Sequence, residues 1–229
     1  MRRSERKSQP NTLGLAGDGD DIDLILTIEG SFGVHFGDET AKWWTVGDIH
    51  QALLDRVPVA ATPGLCSTSM AFYRIRAVLA EFSRSPSPVR PSTRLSEFRI
   101  APKALSARLM RELGIRQPAF PLFWWGVIGC VALLLGIASP LLILVVRAAW
   151  PALLLFPAGL IMVWTDRGQY GRMTVGDLAQ KVAIRNFAYF TSQGADSRPE
   201  TLWRALRQLL VEETDINPSH LTADTRLVA

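Results

Sequence analysis

Apolar residues recur every three or four positions in five segments of the chain, with charged and polar residues between them. This spacing is typical of amphipathic α-helices, which bury one face and expose the other. The segment at 103–115 also carries basic residues, so its stripe suits either a membrane surface or a soluble domain. The pattern predicts an all-α fold with helices at residues 49–57, 71–82, 103–115, 178–190 and 201–213.

Residues 117–165 differ from these segments, because their apolar residues are almost continuous. The stretch contains 49 residues, and its only charged residue is Arg147. One membrane span needs about 20 residues, so this length suits two spans. We expect a transmembrane hairpin over residues 118–166 that turns near Pro140 or near Arg147. The second turn avoids a cost of roughly 2.5–3.5 kcal/mol for a central Arg and predicts helices near 121–144 and 149–165.

Lysine and arginine residues near the two ends of this stretch predict its orientation. Four lie shortly before the stretch and four shortly after it, whereas only Arg147 lies inside. By the positive-inside rule, both termini then face the cytoplasm of a bacterial inner membrane. We expect no signal peptide, since polar residues follow the basic start of the chain. A buried helical hairpin in a soluble protein is the alternative interpretation.

The net charge of +4 does not indicate nucleic-acid binding. The basic residues gather in the N-terminal tail and beside the apolar stretch, without interleaved aromatic residues. Cys66 and Cys130 have no Cys or His at metal-ligand spacing, and the histidines are scattered, so no metal site is predicted. No nucleophile–His–acid arrangement or phosphate loop is visible either. We therefore expect a protein that is not an enzyme and has no cofactor.

The letters TVGD occur twice, at residues 45–48 and 174–177. An N-cap threonine accepts a hydrogen bond from a backbone N–H of the first turn, and an aspartate suits that turn. Each copy therefore predicts the start of a helix. After each copy come an amphipathic segment and a turn that contains T-R-L, at residues 93–95 and 225–227. The repeated order predicts a duplicated helical unit.

These motifs resemble those of the acyl carrier protein superfamily. In its four-helix domains, the first helix leads to a long loop with a turn like LTADTRL, a second helix starts at Asp-Ser-Leu, and the last helix opens with TVGD. Residues 20–57 resemble the second half of such a domain, and residues 201–229 resemble the first half. The resemblance implies small carrier-like helical bundles in permuted order. Either the two ends of one chain meet, or two chains pair head to tail. Residues 71–98 and 174–190 either form a second, incomplete copy or complete the first.

In that superfamily, the serine of Asp-Ser-Leu receives phosphopantetheine. This chain carries Asp18 at that place, inside the letters GDGDD, and Ser31 lies several turns further on. The pattern resembles bacterial carrier-like proteins that have Gly-Asp-Asp in place of Asp-Ser-Leu. The acidic residues form either a solvated helix start or a docking face for a basic partner; they are Asp18, Asp20, Asp21 and Asp23.

The expected function is therefore that of a membrane-anchored interaction or scaffold module at the cytoplasmic face. Its expected partners are the lipid bilayer and an unidentified protein, with self-association through the carrier-like units as one form. The alternative is a genuine acyl carrier, or an accessory of lipid or fatty-acid metabolism. The predicted segments are a basic tail at 1–12, later carrier-like helices at 13–58, a linker at 59–70, a first-helix unit at 71–98, a basic amphipathic helix at 99–117, the hairpin at 118–166 and a second carrier-like unit at 167–229.

Overall fold

The computed structural model of the chain describes residues 12–15, 20–82, 88–98, 100–114, 157, 172–214 and 216–228. Most residues of each of the five segments with helical spacing lie on α-helix in this structure, which confirms the helices themselves, although the segment at 178–190 is divided at Asn186. Two short 3-10 helices lie at Gly37–Lys42 and Leu95–Glu97. In chain order, the α-helices are α1 (Asp20–Phe32), α2 (Val46–Arg56), α3 (Ser67–Ala80), α4 (Pro102–Leu113), α5 (Val175–Arg185), α6 (Phe187–Ser192) and α7 (Pro199–Thr214).

The helices contradict the predicted pair of membrane spans. No helix in the described part of the chain is both long enough and apolar enough to cross a bilayer. The longest, α7, has 16 residues, fewer than the roughly 20 of a membrane span, and it carries charges along one face. The predicted hairpin at 118–166 lies outside the described residues, apart from Pro157. The two-span topology, the fold class that included it and the inner-membrane location are therefore corrected.

Two short strands also depart from the all-α prediction. β1 (Thr12–Leu15) and β2 (Arg226–Val228) pair in parallel. Leu13 and Leu227 lie at the centres of these strands, and both are buried. An isolated pair of strands is marginal in water, so this burial is what stabilises the pairing. The two ends of the described chain therefore meet within one molecule.

The chain divides into two compact units. Unit 1 comprises residues 1–74, 113–117 and 179–229, and unit 2 comprises residues 75–112 and 118–178. Boundaries fall inside α3 and α5 and before the last residue of α4. Neither unit is a continuous stretch of sequence.

The core of unit 1 is built mainly by α1, α2 and α7, because each carries an apolar face at helical spacing. On α7, Leu202, Leu206 and Leu209 are fully buried, and they belong to one cluster with Ile28 of α1 and Leu53 of α2. Burial of each such side chain contributes about 1.5–3 kcal/mol. This packing holds the starts of α1 and α2 close to the C-terminal end of the chain.

Unit 2 contains the end of α3, the turn around residues 89–98, α4 and the start of α5. Leu105 and Leu109, four residues apart on α4, are fully buried, and so is Leu95 of the turn. Arg108 of α4 forms an ion pair with Glu81 at 2.9 Å. Two residues of the apolar stripe predicted at 103–115, Leu105 and Leu109, are therefore buried in the protein, whereas Met110 is 58% exposed.

Candidate functional site

The start of α2 shows why TVGD precedes a helix. The Oγ1 of Thr45 accepts a hydrogen bond from the N–H of Asp48 at 3.3 Å. In return, Oδ2 of Asp48 accepts from the N–H groups of Thr45 at 2.8 Å and Trp44 at 2.9 Å. This capping box satisfies donors that the helix leaves open. The bond from Trp44 is also the main reason why the pKa of Asp48 lies below its usual value. The predicted helix start at Thr45 is confirmed.

The start of α5 has the same geometry. The Oγ1 of Thr174 accepts from the N–H of Asp177 at 3.1 Å. Oδ2 of Asp177 accepts from the N–H of Thr174 at 2.9 Å and from its hydroxyl at 2.8 Å. The helix start predicted at Thr174 is therefore confirmed too.

A turn at residues 222–227 binds the first backbone N–H groups of α2. The N–H of Val46 donates to the C=O of Thr225 at 2.9 Å, and the N–H of Gly47 donates to the C=O of Ala223 at 2.8 Å. Because Asp48 is already bound to Thr45, the first three N–H groups of α2 all have protein acceptors. The end of the helix is thus occupied by the protein's own backbone.

A second turn, at residues 90–95, binds the start of α5 in the same way. The N–H of Val175 donates to the C=O of Thr93 at 2.8 Å, and the N–H of Gly176 donates to the C=O of Pro91 at 2.8 Å. A third bond recurs as well, from Leu227 N–H to the C=O of Trp44 at 3.0 Å and from Leu95 N–H to the C=O of Met173 at 2.9 Å. The two junctions therefore match bond for bond.

The glycine of TVGD is explained by the close approach of the turn. A Cβ placed on Gly47 would lie 3.1 Å from the carbonyl oxygen of Ala223, and one on Gly176 would lie 3.0 Å from that of Pro91. A Cβ at either position would therefore have to displace the turn by a few tenths of an ångström. Glycine therefore suits this position, because it has no Cβ to hold the turn away from the helix end.

The two junctions are crossed with respect to the sequence. The first TVGD, at Thr45, joins the turn of Thr225, and the second, at Thr174, joins the turn of Thr93. The first junction lies in unit 1 and the second in unit 2. Each unit therefore contains one helix start and one T-R-L turn, taken from different copies of the repeated order.

The acidic start of α1 was one candidate for a docking face. Asp18 lies outside the described residues, and Asp20 is the first residue of α1. Asp23 is exposed and Asp21 is half-buried, and neither forms an ion pair with another described residue. Ser31 is only 3% exposed, and its hydroxyl donates to the C=O of Thr27 at 2.7 Å. That hydroxyl is unsuited to receiving a prosthetic group.

A groove of about 410 Å³ runs between α1 and the 3-10 helix at Gly37–Lys42. Glu29 helps to shape it, because Oε1 accepts from the N–H of Phe36 at 2.6 Å and pairs with Nδ1 of His35 at 3.0 Å. The walls are mainly apolar and include Ile22, Ile25, Leu26, Trp43 and Val228.

The histidines and cysteines make no reactive constellation in the part of the chain that the structure describes. The ring of His50 contacts the ring of Trp203 at a centroid distance of 4.9 Å. Burial lowers the pKa of His50, although a hydrogen bond with the backbone of Pro199 opposes this effect. Cys66 is exposed, and Cys130 lies outside the described residues. The described residues also contain no group of three His, Cys, Asp or Glu side chains that could hold a metal ion.

A second groove, on the outer face of α7, was missed by the sequence reasoning. It has a volume of about 630 Å³. The sequence does contain a signal for it, since an aromatic and two basic residues lie between the leucines of this helix. They are Trp203, Arg204 and Arg207.

No protein-family model, curated protein or solved structure matches the chain. The resemblance to the acyl carrier protein superfamily therefore has no support from these comparisons, and it stays a prediction.

Proposed function

We propose that the chain is a non-catalytic protein-interaction module, built from two carrier-like helical units that lack a phosphopantetheine serine. The order of elements in unit 1 supports the carrier-like interpretation. Read from α7 through the turn at 222–227 to α1, the 3-10 helix and α2, it follows the order expected of that superfamily. In this order, α2 is the last helix and opens with TVGD.

The observation that carries the proposal is the contrast between the helix starts and the attachment position. Both TVGD junctions are complete, whereas residues 11–30 contain no serine. Ser31 is buried and bound to Thr27. In α4, which follows the other T-R-L turn, Ser106 lies in the second turn of the helix and not at its start. A bundle that keeps its junctions but lacks the attachment hydroxyl is suited to binding and unsuited to carrying an acyl group.

A true carrier is the second candidate, and the groove beside α1 is the observation that favours it. Its apolar walls and volume of about 410 Å³ fall within the range of about 300–1,000 Å³ found for small-molecule sites. Such a carrier would need a serine at a position other than that of Asp18, where the resemblance to the superfamily places it.

Intact-mass spectrometry separates the two candidates. The full chain is incubated with coenzyme A and a phosphopantetheinyl transferase, alongside an acyl carrier protein that the transferase modifies. We expect the mass of the chain to stay unchanged while the control gains the prosthetic group. An adduct on the chain would overturn the proposal, and its loss in Ser106→Ala or Ser31→Ala would identify the attachment site.

A further inference from the structure

The outer face of α7 in unit 1 presents apolar and basic groups together. The leucines of this helix face the core, and Trp203 and Val211 are half-buried and pack against the same core cluster. Arg204 is exposed and Arg207 is half-buried, and both line the same groove as these two side chains. Together with Pro218, they line the groove of about 630 Å³. We call these five residues the α7 groove.

The arginines give the α7 groove a positive character. Arg204 is exposed and forms no ion pair with a described residue. Arg207 donates from one terminal nitrogen to the C=O of Pro218 at 2.7 Å, which fixes its side chain against the groove. Its Nε is buried without a hydrogen-bond partner among the described residues. Glu200 is the one acidic residue of the described lining. Its charge also acts on Arg198, whose pKa is raised mainly by Asp196 and to a smaller extent by Glu200.

The opposite combination, apolar and acidic, occurs on α1 of the same unit. Ile22 is 61% exposed and Leu26 is 57% exposed, although both are large apolar residues on one side of the helix. Asp21 and Asp23 flank them. We call these four residues the α1 face. Exposed apolar side chains with a charged rim are typical of interaction sites.

We propose that the α7 groove of one copy binds the α1 face of a second copy of this chain. The contact would place Leu26 and Ile22 against Trp203 and Val211, and the aspartates near the arginines. This inference rests on the proposed interaction function and names its partner. A second copy is the occupant that the structure supports, because the chain itself supplies both complementary surfaces.

The contact has a consequence for the form of the assembly. The two surfaces are different, so the association is head-to-tail, and every open assembly keeps one free groove at one end and one free α1 face at the other until a ring closes. Such heterologous contacts produce rings or open filaments, and they do not stop at a symmetric dimer. Opposite charges at the rim also make the association weaker at high salt.

Sedimentation of the full chain with charge-reversal variants tests this contact. The groove variant is Arg204→Glu with Arg207→Glu, and the face variant is Asp21→Arg with Asp23→Arg. We expect wild type to form concentration-dependent oligomers, and each variant alone to be monomeric. In an equimolar mixture of the two variants, the normal groove meets a normal face and the acidic groove meets a basic face, so the mixture should regain oligomers in which the two variants alternate. A chain that carries all four substitutions should regain oligomers, because both charges are reversed.

A matched control reverses exposed charges elsewhere, in Arg76→Glu with Arg90→Glu, and should associate like wild type. Circular dichroism checks that every variant is folded. A wild-type chain that stays monomeric, or oligomers that ignore the substitutions, would overturn the contact and leave the groove to a different partner. The failure of this inference is distinct from failure of the proposed function, since only a phosphopantetheine adduct contradicts the latter.

Discussion

The N–H of Val46 donates to the C=O of Thr225 at 2.9 Å, so that the start of a helix near one end of the chain rests on a turn near the other. Val175 makes the equivalent bond to Thr93 at 2.8 Å. The repeated TVGD letters are therefore not a reactive site. They mark two equivalent junctions, each between a capped helix and a T-R-L turn.

Loss of either capping aspartate should destabilise the protein by a similar amount. Asp48→Asn and Asp177→Asn each keep one acceptor oxygen but remove the negative charge that accepts from the N-cap residue, and such a charge at a helix start contributes about 0.3–1 kcal/mol. Asp55→Asn at the other end of α2 is the matched control, because Asp55 is exposed and bonds only with Gln51 among described side chains. The free energy of unfolding is measured by urea denaturation. If Asp48→Asn were as stable as Asp55→Asn, the capping role would be wrong.

Gly33 should be intolerant of a side chain for two reasons. Its φ is +65°, which costs about 1–2 kcal/mol for a residue with a Cβ, and that Cβ would lie 2.7 Å from Cβ of Ala188. We expect Gly33→Ala to lower the free energy of unfolding by at least this amount, measured by thermal and urea denaturation. Adding Ala188→Gly should recover only the part due to the clash. Full tolerance of Gly33→Ala would contradict the described end of α1.

His50 should make the stability of the protein depend on pH below about 6.5. Burial lowers its pKa in the folded state, so the unfolded chain binds the proton more readily. The contribution is thus present above about pH 6.5 and is lost as the pH falls through the lower folded pKa. Urea denaturation between about pH 7.5 and 5.5 should show a steeper fall in stability for wild type than for His50→Gln. Equal slopes would contradict the assigned environment of His50.

The helix starts could be predicted from the sequence because capping is local. Thr45 and Asp48 are three residues apart, and the hydrogen bonds between them need no distant partner. The crossed pairing could not be predicted in this way, since the turns of Thr93 and Thr225 carry the same letters and only tertiary packing selects between them. The exposure of Leu26 could not be predicted either, because helical spacing does not show which apolar positions stay outside the core.

The membrane prediction failed for a different reason. It relied on the hydropathy of residues 118–166, with Arg147 as the only charge before Asp166. Hydropathy counts apolar residues alone, and the residues that it covers here lie outside the described ones, apart from Pro157. The described helices, of which α7 is the longest at 16 residues, do not reach the length of a span.

Disulfide trapping distinguishes the crossed junctions from the exchanged pairing of helix starts and turns. In a Cys66→Ser, Cys130→Ser background, Gly47→Cys is combined with Ala223→Cys. A Cβ placed on Gly47 would lie 3.4 Å from Cβ of Ala223, close to the roughly 3.5–4.5 Å of a disulfide.

Gly176→Cys with Pro91→Cys is the equivalent pair, at 3.3 Å. The exchanged pairs, Gly47→Cys with Pro91→Cys and Gly176→Cys with Ala223→Cys, are the controls. On non-reducing gels, crossed junctions predict cross-linked monomers for the first two variants and none for the exchanged pairs. Cross-linking of the exchanged pairs, or cross-linked dimers in place of monomers, would contradict the crossed junctions.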